Sequence, residues 1–186
     1  DMLAGITEAA VVYIYTLANC NTYAVGYDPV PAAPAKVDKV WDFSATEWVD
    51  AMTGSGIAAN TNDSNWNLEV NGLKVVSGGG SIKWNFSGET YYWQPGGKSD
   101  GTTRYFEFTT DVAGTVTVYS SNTGGSEDLT RMVTVKVGDA DPESLPGGTP
   151  SGDAPTKNDF SVSAGTVKIY PTGNGLRFYK IEFHSL

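Results

Sequence analysis

The chain has 186 residues, with 12 Lys+Arg against 21 Asp+Glu for a formal net charge of −9, 40% hydrophobic residues, 12% aromatic and only 18% charged. So acidic a chain excludes electrostatic recognition of nucleic acid or of an anionic membrane, because holding phosphates needs clustered Lys and Arg and no such cluster occurs. With 22 Gly and 9 Pro, the composition points to a turn-rich globular β protein rather than a helical or disordered one.

Residues Asp1 to Lys36 read as a leader, or the remnant of a preceding domain. Ile6, Ala10, Tyr13, Ile14 and Leu17 fit a helical stripe, whereas the alternation from Val11 to Thr16 fits a strand. The β-branched and aromatic content favours the strand. The apolar run Ala9 to Ala18 is about half the roughly 20 residues that a membrane helix needs, so no membrane insertion is expected. Leu17-Ala18-Asn19-Cys20 matches a lipobox only loosely, because no Lys or Arg precedes Lys36 and a secretory n-region needs positive charge. Cys20 is the only cysteine, which excludes an intrachain disulfide and a thiolate metal cluster. Three prolines between Asp28 and Ala35 then give a stiff linker into a module spanning 37–186.

From Val37 onward, short runs alternate apolar and polar residues between turn signals, the pattern of half-buried strands. The expected strands are Val40–Phe43, Asn71–Ser77, Ile82–Phe86, Thr103–Thr110, Thr115–Ser120, Arg131–Val137, Asp159–Ser163, Thr166–Tyr170 and Leu176–Phe183. In the last, Leu176 and Phe178 have the opposite parity to Ile181 and Phe183, which a bulge near Tyr179-Lys180 reconciles. Gly54–Asn65 and Asp139–Asn158 are the long loops, and no helix is expected between the strands. With nine or ten strands and no crossover helices, the fold class is all-β: a two-sheet antiparallel β-sandwich, jelly-roll-like and galactose-binding-like.

Little in the chain offers catalysis. His184 is the only histidine and follows the final core residue, where a solvated terminal side chain fits better than a triad member. Asp42, Glu47, Asp50, Glu69, Glu89 and Glu107 are candidates for a glycosidase pair, but nothing selects two of them. No enzyme activity and no cofactor are expected. Asp139-Ala140-Asp141-Pro142-Glu143 offers hard oxygen ligands for a structural Ca²⁺, without the glycine and terminal glutamate of an EF-hand loop.

The aromatics are the stronger lead. A sugar ring presents C–H bonds on one face and hydroxyls at its rim, so it is held by a flat aromatic face and a few planar donors and acceptors. Tyr91-Tyr92-Trp93 cannot all point inward from an extended chain, and Trp66 stands in a polar setting beside them. Ligand contact and packing under a loop remain equal alternatives for Trp66 and Trp93. Strand parity also turns Tyr105, Tyr119 and Tyr170 outward with Thr134, Lys136 and Lys168, forming a platform if their strands are neighbours. Trp41, Trp48 and Trp84 belong to the core or a hydrophobic lid. Arg104 and Arg131 either pair with a rim carboxylate or reach an acidic sugar. The candidate ligand-binding residues are therefore Trp66, Tyr91, Tyr92, Trp93, Arg104, Tyr119 and Tyr170.

Trp41-Asp-Phe-Ser44, Asn71-Gly-Leu73, Arg104-Tyr-Phe-Glu-Phe108, Gly114-Thr-Val-Thr-Val-Tyr119, Arg131 before a Val-rich strand and Gly175-Leu-Arg-Phe-Tyr-Lys-Ile-Glu-Phe183 together resemble the β-sandwich modules attached to pectate lyases and other exported polysaccharide-acting proteins of gut Bacteroidetes. The resemblance implies a non-catalytic, carbohydrate-binding-like accessory module, secreted or on the cell surface, with a polysaccharide or oligosaccharide as partner and neighbouring domains in a larger protein. A structural or adhesive domain without a sugar site is the alternative.

Overall fold

A computed structural model describes residues 36, 38–124, 126–150 and 153–186. The leader, Cys20 and the Pro-rich linker lie outside the described residues. Twelve strands and one helix follow one another: β1 (Asp38–Asp42), α1 (Thr46–Gly54), β2 (Asn67–Val70), β3 (Leu73–Val76), β4 (Ile82–Ser87), β5 (Thr90–Pro95), β6 (Tyr105–Thr110), β7 (Gly114–Asn122), β8 (Met132–Val137), β9 (Glu143–Pro146), β10 (Thr156–Val162), β11 (Gly165–Thr172) and β12 (Leu176–Ser185).

All pairings are antiparallel, in two six-stranded sheets. Sheet A runs β10-β7-β12-β5-β4, with β1 also on β12, and sheet B runs β2-β3-β6-β11-β8-β9. From β5 to β12 the chain passes back and forth between the sheets, wrapping one core in jelly-roll fashion. The hub of sheet A is β12, which pairs with β7 from Leu176 to Ser185, with β1 from Lys180 to His184, and with β5 at Phe178.

The inward residues are those that alternation selects. Val116, Val118, Val133, Val135, Val167 and Ile169 are all buried, as are Trp41, Trp48 and Trp84. The bulge in β12 is present as a register shift between Phe178 and Lys180, and it brings Leu176, Phe178, Ile181 and Phe183 all into the core.

Three strands lie outside the expected ranges: β2, β5 and β9. The last ends on Pro146, tolerated because β9 is a four-residue edge strand with β8 as its neighbour. Helix α1 is a correction to the expectation of no helix. It lies across the core with Trp48 and Met52, one turn apart, buried on one face, and Glu47 sits favourably in its first turn. A stripe of two large side chains is too brief to stand out as a period. Phe86, in phase with buried Ile82 and Trp84, is 46% exposed near the end of the β4–β5 hairpin. A two-residue Asn71-Gly72 turn joins β2 to β3, both residues at positive φ, as a tight primed turn requires.

Candidate functional site

The strongest candidate is the outer face of sheet A. Side chains alternate across a strand, so with Phe178, Ile181, Val118 and Trp93 turned inward, Arg177, Lys180, Tyr119 and Tyr92 emerge on the opposite face. The bulge adds Tyr179 to this face, so that two consecutive residues, Tyr179 and Lys180, project together. Tyrosines from three neighbouring strands thus come close: Tyr92 on β5 and Tyr179 on β12 have ring centroids 5.4 Å apart, and the Tyr179 hydroxyl lies 3.0 Å from Ser121 Oγ on β7, two residues from Tyr119.

Two adjoining hollows occupy this face. One, of about 400 Å³, is lined by Ser87, Thr90, Tyr92, Asp153, Pro155, Arg177 and Tyr179. The other, of about 480 Å³, shares Thr90, Pro155 and Tyr179 and adds Asp42, Ser44, Glu89, Tyr119 and Lys180. Tyr179 is the ridge common to both.

The cations are held differently. Lys180 Nζ is 2.7 Å from Glu182 Oε1 and 4.2 Å from the centre of the Tyr119 ring. The Tyr119 hydroxyl donates to Glu182 Oε2 at 3.1 Å, which locks the phenol in place. Burial works against ionisation of Glu182. Hydrogen bonds from Lys180 and Tyr119, with the charges of Lys180 and His184, outweigh it and hold the carboxyl below its ordinary range. The same bond to Glu182 raises the Lys180 ammonium above its usual value. Arg177 instead lies over the Tyr92 ring at 5.0 Å.

A carboxyl depressed by folding contributes stability above its unfolded pKa of about 4.3, and that contribution is lost as the pH falls through the folded value. Asp100 and Asp128, lowered chiefly by the Thr102 and Thr130 hydroxyls, act in the same sense. The thermal midpoint should therefore hold steady from pH 7 to about 5 and decline below about 4. Melting curves of Glu182→Gln should show a shallower acid decline than wild type; identical slopes would remove Glu182 from this account.

The structure separates the residues singled out in the sequence. Tyr92 lines the first hollow and Tyr119 the second, but Tyr92 is only 9% exposed, and each ring carries a cation, Arg177 and Lys180 respectively. Tyr91, on the other face of β5, stacks on Trp84 at 5.8 Å and 17° and contacts Phe86 at 5.5 Å. Trp66 and Trp93 are corrected: both are buried, packed edge-to-face at 4.8 Å, and Trp66 Nε1 donates to the Ile82 carbonyl. Their packing alternative holds because alternation turns Tyr92 out and Trp93 in. The expected tyrosine platform is divided, since Tyr119 belongs to sheet A while Tyr105 and Tyr170 belong to sheet B. There Tyr170 is buried beneath Gly101, where an added Cβ would come within 3.0 Å of its ring, and Tyr105 is covered by Lys168 at 4.3 Å.

Arg104 sits at φ 53°, donates to the Lys98 carbonyl and lines a separate hollow of about 510 Å³ with Lys98, Ser99, Asp100, Thr102 and Thr103. Arg131 takes the rim-carboxylate role, bonding Asp128 Oδ2 at 2.8 Å along with Thr123 Oγ1 and the Gly175 carbonyl. The residues missed by sequence reasoning are Arg177, Tyr179 and Lys180. Their signal was the parity break in Leu176–Phe183, which marks where two neighbours share a face.

Among the described residues no group of three or more His, Cys, Asp or Glu side chains is placed to hold a metal ion, and Asp139, Asp141 and Glu143 are exposed. No described helix is long and apolar enough to cross a membrane.

No protein-family model and no curated protein matches the chain. Solved structures do show similarity, 16 chains in all. One comes from work on the Ruminococcus flavefaciens cellulosome and its expansion in glycan recognition: it is 15% identical, covers 81% of this chain and 95% of its own, and superposes with a TM-score of 0.35. Similarity that slight does not bear on what the present chain binds.

Proposed function

We propose that this protein is a non-catalytic carbohydrate-binding module that holds a polysaccharide or oligosaccharide along the outer face of sheet A. The observation that carries the reading is the convergence of Tyr92, Tyr179 and Tyr119, from three adjacent strands, on two contiguous hollows that also hold Arg177, Thr90 and Ser44. Phenol faces suit the C–H side of a sugar ring, and the hydroxyls, the guanidinium and the carboxylates suit its polar rim. The face is shallow and open, so affinity per site is modest: little area is buried against the cost of ordering a flexible chain. The exported setting, beside other domains of a polysaccharide-acting protein, rests on the strand-and-turn motifs quoted above.

Affinity gels and a glycan array on wild type, Tyr92→Ala and Tyr179→Ala test this. Wild type should be retained by at least one plant, microbial or host glycan, and Tyr179→Ala should weaken retention by about tenfold or more, the scale of losing a central aromatic contact, with an unchanged circular dichroism spectrum. No retention by any glycan would overturn the reading, and cleavage of a bound polysaccharide would overturn its non-catalytic part.

A second reading, an adhesive or structural domain without a sugar site, draws on Phe86, exposed beside Tyr91 and Trp84 near the hairpin end. It predicts that Phe86→Ser changes self-association or partner binding while every glycan is ignored.

A further inference from the structure

The two hollows differ in electrostatic character. In the one lined by Tyr119, Lys180 is already taken up by Glu182 at 2.7 Å, and Asp42 and Glu89 add carboxylates at the rim. An anion entering there meets no unclaimed cation. The hollow lined by Tyr92 holds Arg177, which among the described residues makes no ion pair. Its Nε is buried without a hydrogen-bond partner. Arg177 is itself part of the hollow's lining.

The stacking on Tyr92 matters for what this fork accepts. The guanidinium carbon lies 5.0 Å from the centre of the Tyr92 ring, a cation–π contact that holds the group beside the hollow. Two parallel N–H groups match the two oxygens of a carboxylate. The one acidic side chain lining this hollow, Asp153, lies beyond ion-pairing distance of Arg177. With a net charge of −9, the protein as a whole repels a densely charged polymer, so a single carboxylate is accommodated better than a run of them.

Building on the glycan reading above, we infer that this groove selects a sugar chain in which an isolated uronate sits in the Arg177 hollow and a neutral residue adjoins it across Tyr179, against Tyr119.

Four probes test it with the full chain: a glucuronate-bearing oligosaccharide of otherwise neutral sugars, its carboxyl-reduced counterpart, a homopolymeric uronate oligomer and a sulfated neutral oligosaccharide. Titration calorimetry should show the first binding about tenfold more tightly than its reduced form, the scale of one charge-assisted bidentate contact. Arg177→Gln should erase that preference, and Arg177→Lys, which keeps the charge but loses the fork, should restore only part of it. Melting curves verify that both variants fold. Equal binding of the acidic and reduced forms overturns the inference while leaving the groove as a glycan site. A preference for the homopolymer overturns the requirement for an isolated charge, and a preference for the sulfate ester overturns the carboxylate. Failure of all four to bind, together with no glycan retained on the array, overturns both this inference and the glycan reading.

Discussion

Trp93→Ala is expected to lower the unfolding free energy by about 3–5 kcal/mol, the range for deleting a fully buried tryptophan. Trp93 is sealed from solvent and its ring meets Trp66 at 4.8 Å, Phe43 at 6.4 Å and Trp48 at 6.5 Å. It therefore ties α1, the loop before β2 and the chain after β1 to β5 of sheet A. The four rings are anchored on four different segments of the chain, so the cavity cannot collapse without moving backbone. In a domain of this size a loss of that scale lowers the thermal midpoint by roughly 10–15 °C, and it is a large fraction of a typical total stability of about 5–15 kcal/mol. Trp93→Phe is the control: the indole Nε1 has no hydrogen-bond partner to lose and the smaller ring leaves a smaller cavity, so it should cost clearly less than the alanine variant. Chemical denaturation of the three proteins decides the matter. An alanine variant as stable as wild type would mean that the aromatic core is not organised as described.

Gly173→Ala is the second large effect. Gly173, between β11 and β12, has φ 80°, and an added Cβ would lie 1.9 Å from the Thr130 carbonyl oxygen and 3.0 Å from its carbon. Both are backbone atoms, so no side chain can swing aside. Left-handed backbone alone costs a residue with a Cβ about 1–2 kcal/mol. Relief of the clash must push the chain at Thr130-Arg131 away from the turn, and Arg131 is there bonded to Asp128, Thr123 and the Gly175 carbonyl. The same stretch is pressed from a second side, since a Cβ on Gly148 would lie 2.2 Å from the Asp128 oxygen. The total is expected to reach about 3 kcal/mol or more, among the larger single-residue effects. Gly138 separates strain from clash: it has φ 52° but nothing within 4 Å of an added Cβ, so Gly138→Ala should show only the conformational cost of about 1–2 kcal/mol. Equal destabilisation by the two variants would remove the close approach at Thr130 as a cause.

Both predictions concern residues whose roles differ in legibility. That Trp93 is large and apolar is plain in the sequence. Whether it meets water or the core depends on the phase of β5, and three successive aromatics conceal that phase. The pattern becomes readable only through pairing, where Trp93 faces Trp84 and Phe178 while Tyr92 faces Asn85. Helix α1 was hidden for a related reason, because two buried residues one turn apart are also compatible with other local structures.

The alternation of apolar and polar side chains, a local property of the backbone, was enough to specify an antiparallel sandwich, most of its strands, the inward valines and the β12 bulge. Composition likewise argues against a nucleic-acid binder, because net charge does not depend on folding. Which strands lie side by side was decided only by the tertiary structure. That assignment sent Tyr119 to one sheet and Tyr105 and Tyr170 to the other, gathered Tyr92, Arg177 and Tyr179 on one face, and left Arg177 without a carboxylate while Lys180 gained one. A strand's face is set by its own residues, but the neighbours on that face come from distant chain segments, up to 146 residues apart where β1 meets β12, and their closeness arises from the order of strands in the sheets.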